Sequence, residues 1–314
     1  MAPALILALA LGVGGSASEQ RSVLDAIARG SRPEVEHAIN RLQYWGAPKP
    51  AMGTVAAMAL GQIEGSRSNA AYVLSVLHPP DARRTFVTLL DDEDAGLRLD
   101  ACQGLGRLKS ESAEVGRLGE RLGDKVAAVR RECARALGTW GAKGSEKGLL
   151  AALKAETDPD AKEVEVEALG HAGTAAAAPL LEALLTSPNP ELRVAAARSL
   201  AQVGAPAGRK TVETWAASAE TDDRMLAAQL LEQLNERWAS DDLAGLLPDG
   251  SAAVSVKASR ALVTRKDPRG LTSLVVRAEK AVGDDKFAFE SALMELKVTQ
   301  AQRLDILQKA GAVK

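Results

Sequence analysis

Aromatic residues make up only 3% of this 314-residue chain. Sandwiches and barrels draw on aromatic and β-branched side chains. A core limited mainly to Ala, Leu and Val points instead to helices that meet at short range. A basic excess is also missing, since 39 Lys and Arg stand against 41 Asp and Glu, a formal net charge of −2. That balance argues against a nucleic-acid partner, which a basic stripe would announce. Histidine is scarce: His37, His78 and His171 lie far apart and cannot combine with neighbours into the three or four converging ligands a metal needs. No Gly-rich phosphate loop or nucleophile signature occurs, because Gly104-Leu105-Gly106 falls inside a helical stretch. Acidic runs such as Asp91-Asp92-Glu93-Asp94 read as solvated helix starts. The chain does have 46% hydrophobic and 25% charged residues, a foldable mixture.

The N-terminus differs from the rest. Ala2 to Gly15 is apolar without interruption, and Ser16-Ala17-Ser18 follows before Glu19. The run is shorter than the roughly 20 residues of a membrane-spanning helix, and small residues suit a signal-peptidase site. Residues 1–18 are therefore expected to be a signal peptide cut after Ala17 or Ser18, although no Lys or Arg precedes the run. No Cys follows it, which argues against a lipid-modified terminus. A periplasmic or secreted location follows; a cytoplasmic one is the alternative.

Beyond residue 30 the sequence repeats. Leu42, Leu74, Leu105, Leu137, Leu169, Leu200, Leu231, Leu262 and Leu293 succeed one another at intervals of 31 or 32. Four residues before each stands Ala38, Ala70, Ala101, Cys133, Glu165, Ala196, Ala227, Ala258 or Phe289, and all but Glu165 and Phe289 are small and apolar. A spacing of four puts both residues on one helix face. Seven residues before the Leu lies a basic ladder of Arg67, Arg98, Arg130, Lys162, Arg193, Arg224 and Lys286. Helix-starting residues precede it at Asp94, Asp158, Asn189 and Asp222-Asp223. Gly46, Gly141, Gly173, Gly204 and Asn235 supply stops four residues after the Leu. Second amphipathic stretches follow at 113–122, 146–154, 176–185 and 209–217. One such hairpin cannot bury its own apolar face, so the units must stack. The reading is an all-α solenoid of about nine two-helix repeats over 19–314, most regular over 91–220. A lone helix at 19–30 covers one end, and 301–309 closes the other.

The segment Val129-Arg130-Arg131-Glu132-Cys133-Ala134-Arg135-Ala136-Leu137-Gly138-Thr139-Trp140-Gly141 resembles the first helix of a HEAT repeat, and 97–106 and 192–204 are similar. The resemblance covers about 31–310. It implies first helices on a convex side, second helices lining a concave binding surface, and acid–base ladders knitting repeats together. Asp94 with Arg98, Arg130, Lys162, Arg193 and Arg224 would form that ladder. HEAT-like enzymes fit poorly. Nothing marks a bilin-lyase site, deoxyhypusine hydroxylase needs paired His-Glu dipeptides where this chain has only Glu36-His37, and alkyl-purine glycosylases use a basic channel.

Four expectations follow for single residues. Cys102 and Cys133 occupy positions that other repeats fill with Ala, and read as buried small hydrophobes. A disulfide is the alternative, opposed by the usual 8–10 Å between packed helices. Trp45 and Trp140 share a register and read as core. Trp215, with Arg209 and Lys210 beside it and Trp238 further on, is expected to contact a partner. The chain then reads as a non-enzymatic scaffold for a protein or peptide, with no cofactor and no metal. A modifying-enzyme or lyase subunit is the alternative.

Overall fold

A computed structural model of the chain describes residues 15–108, 112–234 and 236–311. The apolar run before Gly15, and the helix stop expected at Asn235, lie outside the described residues. Among the described residues there are nineteen α-helices and no strand, and no helix is long and apolar enough to cross a membrane. Helix α1 (Ala17–Arg29) stands first, and nine pairs follow. They are α2 (Arg32–Tyr44) with α3 (Lys49–Ala59), α4 (Arg67–Leu77) with α5 (Arg83–Leu89), and α6 (Ala95–Arg107) with α7 (Ser112–Glu120). Next come α8 (Ala127–Thr139) with α9 (Glu146–Ala155), α10 (Pro159–Ala172) with α11 (Ala178–Ala183), and α12 (Pro190–Gln202) with α13 (Pro206–Ala216). The last three are α14 (Thr221–Gln233) with α15 (Arg237–Gly245), α16 (Ala252–Thr264) with α17 (Pro268–Lys280), and α18 (Gly283–Glu295) with α19 (Gln300–Lys309).

The chain divides into two compact units, residues 1–177 and 178–314. In the first, the first helices α2, α4, α6, α8 and α10 pack in succession. In the second, α12, α14, α16 and α18 do the same. Every Leu of the sequence ladder is buried, and so is every residue four before it. The helices come close because small residues face each other. A Cβ added to Gly106 would stand 2.9 Å from the Ala136 Cβ, and one added to Gly138 would stand 2.8 Å from the Ala168 Cα. That approach corrects the expectation for the cysteines. The Cα atoms of Cys102 in α6 and Cys133 in α8 are 4.9 Å apart, and the two residues form a disulfide. The general helix spacing used to disfavour it does not hold between Ala- and Gly-faced helices.

Helix ends follow the sequence signals. Asp94, Asp158 and Asn189 cap α6, α10 and α12 by accepting from backbone N–H groups one turn on. Asp222 and Asp223 lie inside the first turn of α14, after the cap at Glu220. Gly46, Gly141 and Gly204 take the left-handed conformation, and the next residue's N–H returns to the ladder Leu carbonyl at 2.7, 3.1 and 2.9 Å. Lys266 and Lys297 hold the same conformation in the same register, whereas Gly173 is extended.

The basic ladder turns out to bridge two inter-repeat turns at once. Arg98 donates through Nη1 to the Asp92 and Glu93 carbonyls behind it, and clamps the Asp124 carboxylate ahead of it at 2.7 and 2.9 Å. Arg130 reaches the Asp124 carbonyl and the Glu156 carboxylate, the latter with two contacts of 2.7 Å. Arg224 repeats this with the Ser218 and Ala219 carbonyls and Asp249, and Arg67 pairs with Asp92. The acid expected to complete the ladder, Asp94, does not; it caps α6 while Asp124 takes Arg98. Arg193 keeps the carbonyl half alone, donating to Ser187 and Pro188. Lys162 is half-buried in α10.

Arg98 and Asp124 are 5% and 3% exposed. Removing one partner of so buried a pair strands a charge, at a cost of about 3–5 kcal/mol. Arg98→Ala is therefore expected to lower unfolding free energy by about that amount in urea titration, and Arg193→Ala by about 1 kcal/mol or less. Equal losses would contradict the bridging role.

Candidate partner-binding surface

Side chains that staple repeats are already committed, so the candidate surface is sought among what the second helices leave exposed. In the second unit, α13 and α15 are consecutive second helices. The apolar face of α13 carries Gly208, Val212 and Trp215 at helical spacing, and all three are buried. Trp215, expected at the surface, is only 9% exposed and sits in a core cluster with Val212, Leu226 and Leu230. The same spacing turns Arg209, Lys210 and Glu213 outward, and all three are exposed. Arg209 donates to Glu213 at 2.9 Å, and its guanidinium lies 5.0 Å from the centre of the Trp238 ring. Trp238 is half-buried and packs against the same cluster from α15.

One turn on from Trp238, Asp242 has an Oδ2 that is shielded from water and finds no hydrogen-bond partner. Burial pushes its carboxyl above the usual carboxylate range; Arg209 opposes this, while Glu213 and Asp241 add to it. Arg209 and Trp238 thus form a ledge that sets a cation over an aromatic face, with the shielded Asp242 carboxyl beside them. Of the four residues expected to meet a partner, the structure groups Arg209 with Trp238, leaves Lys210 exposed on the same helix, and takes Trp215 into the core. Asp242 was missed. Its signal was the four-residue step from Trp238.

The first unit presents a different second-helix feature. Between α7 and α9 runs a groove of about 540 Å³ lined by Gly119, Gly148, Ala151 and Ala155, with Arg130 and Glu156 at its polar side. Those two groups already satisfy each other, so the groove offers shape rather than chemistry. Behind them lies Glu165, the one acidic residue in the small-residue ladder. It is fully buried and neither carboxylate oxygen has a hydrogen-bond partner. Burial pushes its carboxyl up to about 8, the Glu156 charge adds to this, and Arg130 and Lys162 pull the other way. Glu156 moves oppositely: its bond from Arg130 holds it down at about 2 against the effect of burial. Asp124 likewise lies below its usual range, as Arg98 and the Val126 N–H outweigh its burial.

No group of His, Cys, Asp and Glu among the described residues could hold a metal ion. The three histidines are exposed. Trp45 is buried and Trp140 half-buried, its indole N–H donating to the Leu108 carbonyl at 3.0 Å.

A profile of HEAT repeats matches residues 84–169 and again 146–232. No curated protein sequence matches the chain significantly. Among solved structures, a chain in the complex of CpcE and CpcF of phycocyanin lyase from Nostoc sp. PCC7120 is similar at 21% identity and a TM-score of 0.48, over 77% of this chain and 94% of that one. The archaeal HEAT-like repeats protein from Thermococcus onnurineus NA1 is similar at 15% identity and a TM-score of 0.38, over 71% and 97% of the two chains. A designed armadillo repeat protein gives 14% identity and a TM-score of 0.34, over 78% and 98%.

Glu165 makes stability depend on pH. Its folded pKa, about 8, stands above the 4.5 of a free glutamate, so near neutral pH the folded state holds a proton that the unfolded state has released. Stability contributed by that proton is present below the unfolded value and is lost as pH rises toward 8. Melting temperature is expected to fall between pH 5 and 8 in the unaltered chain, and Glu165→Gln is expected to flatten that fall. An unchanged slope in the variant would show that Glu165 ionises freely.

Proposed function

Because residues 84–232 belong to the HEAT-repeat family, we propose that this chain is a non-enzymatic scaffold that holds a protein or peptide on its second helices. The observation that carries the reading is the ledge of Arg209 and Trp238. It brings together an exposed guanidinium and a half-buried aromatic ring on consecutive second helices, with the shielded Asp242 carboxyl beside them. Arg and Trp are the residue types that concentrate interface energy, and neither belongs to the ladder of arginines that staples the first helices. Lys210 extends the same surface along α13.

The exported location belongs to the proposal as well. The disulfide between Cys102 and Cys133 supports it, since such bonds persist in oxidising compartments. Residues 1–18 would then serve as the signal peptide, and the partner would be an exported protein.

Capture from native cells with the tagged chain, read by cross-linking and mass spectrometry, tests this. Arg209→Ala with Trp238→Ala is expected to cut recovery of the enriched prey roughly tenfold or more, as loss of two anchor residues does, with helicity unchanged. Trp215→Ala is expected to act through the fold instead, costing about 3–5 kcal/mol. Recovery that survives alterations on α13, α15 and the other second helices would overturn the proposal.

A further inference from the structure

The last of these first helices, α18, exposes large apolar side chains at two positions that α6, α8, α12 and α16 cover at least in part. In the inner repeats, the residue just after the ladder Leu and the residue six before it are turned toward the next repeat. Gly106 and Gly138 hold the first of these positions and abut Ala136 and Ala168 of the helix that follows. Val194 and Met225 hold the second in the next unit, buried or packed into the core. Val256 holds it in α16 and packs against the cluster that contains Phe289 and Leu293 of α18. In α18 the equivalent residues are Phe287 and Met294, and they are 72% and 64% exposed.

The outer side of α1 is polar, with Arg21, Asp25 and Arg29 exposed. On α18, Asp284, Phe287, Ser291 and Met294 instead follow one another at intervals of three and four, the spacing of a helix–helix seam. Leu304 of α19 adds a further exposed apolar side chain.

We propose that this face docks on its counterpart in a second copy of the chain, with the two α18 helices antiparallel about a two-fold axis. The charges on α18 select that occupant. Asp284 and Asp285 lie in the first turn of α18 and Lys297 lies just past its end. An antiparallel pairing that sets Phe287 of one copy on Met294 of the other also brings the Asp284 end of one helix to the Lys297 end of its partner. A parallel pairing would oppose like charges at both ends. A two-fold contact is made twice and closes at two copies. Among the described residues, the polar outer side of α1 offers no apolar counterpart for a head-to-tail stack.

Sedimentation of the full chain over a range of concentrations tests this, with circular dichroism as the control for folding. The unaltered chain is expected to associate to twice its monomer mass. Phe287→Glu and Met294→Glu, at exposed positions, are each expected to leave a folded monomer. Asp284→Lys and Lys297→Glu are each expected to weaken association roughly fivefold to tenfold, two contacts being lost per dimer, and together to restore it. That restoration distinguishes a self-contact from docking of an unrelated helix. A chain that stays monomeric at every concentration would overturn the proposal. So would a dimer indifferent to Phe287→Glu, or a double charge reversal that fails to restore association.

Discussion

The distance between successive first helices governs most of what this chain shows. A two-helix repeat has too little surface to bury its own apolar face, so its stability comes from the layer against it. Leu at one ladder position supplies the apolar bulk, and Ala, Gly or Cys around it lets the next backbone approach. At Gly138 the approach is close enough that a single added carbon would meet the Ala168 backbone at 2.8 Å. The disulfide between Cys102 and Cys133 is a consequence, since only helices this close bring two Cα atoms to 4.9 Å. The strained position of Glu165 is another, as a carboxyl occupies a slot shaped for a small apolar side chain and is cut off from water.

Polar chemistry in this fold is divided between two tasks. Arg98, Arg130 and Arg224 each tie an inter-repeat turn to the one after it, through carbonyls behind and a carboxylate ahead. Their hydrogen bonds are spent on the fold, which removes the most regular charges in the sequence from consideration as ligands. Outside that ladder stand irregular groups on second helices, such as Arg209, Trp238 and Asp242, on which the proposed recognition rests. Regularity thus marks structure, and departure from it marks the candidate site.

The same division explains what could be read from the sequence. The Leu ladder, its small partners and the left-handed glycines were legible because one period carries them all. The acidic half of the staple was not. Asp92, Asp124 and Glu156 do stand 32 apart, but they lie in turns and the series lapses before Asp249, so Asp94 at the helix start drew attention instead. Trp215 misled because its helix was expected to line a concave binding surface. Gly208, Val212 and Trp215 share one stripe, and that stripe was the available sign of burial. The cysteine pair misled because an average helix spacing was applied where Gly and Ala make the spacing unusually small.

The most direct test of this account compares two glycine substitutions by urea unfolding. Gly138 faces the Ala168 backbone, whereas a Cβ at Gly116 in α7 meets nothing within 4 Å. Alanine is intrinsically better than glycine inside a helix by about 1 kcal/mol. If close approach of the first helices controls stability, Gly116→Ala raises the unfolding free energy and Gly138→Ala lowers it despite that gain. Stabilisation by both substitutions would contradict the account.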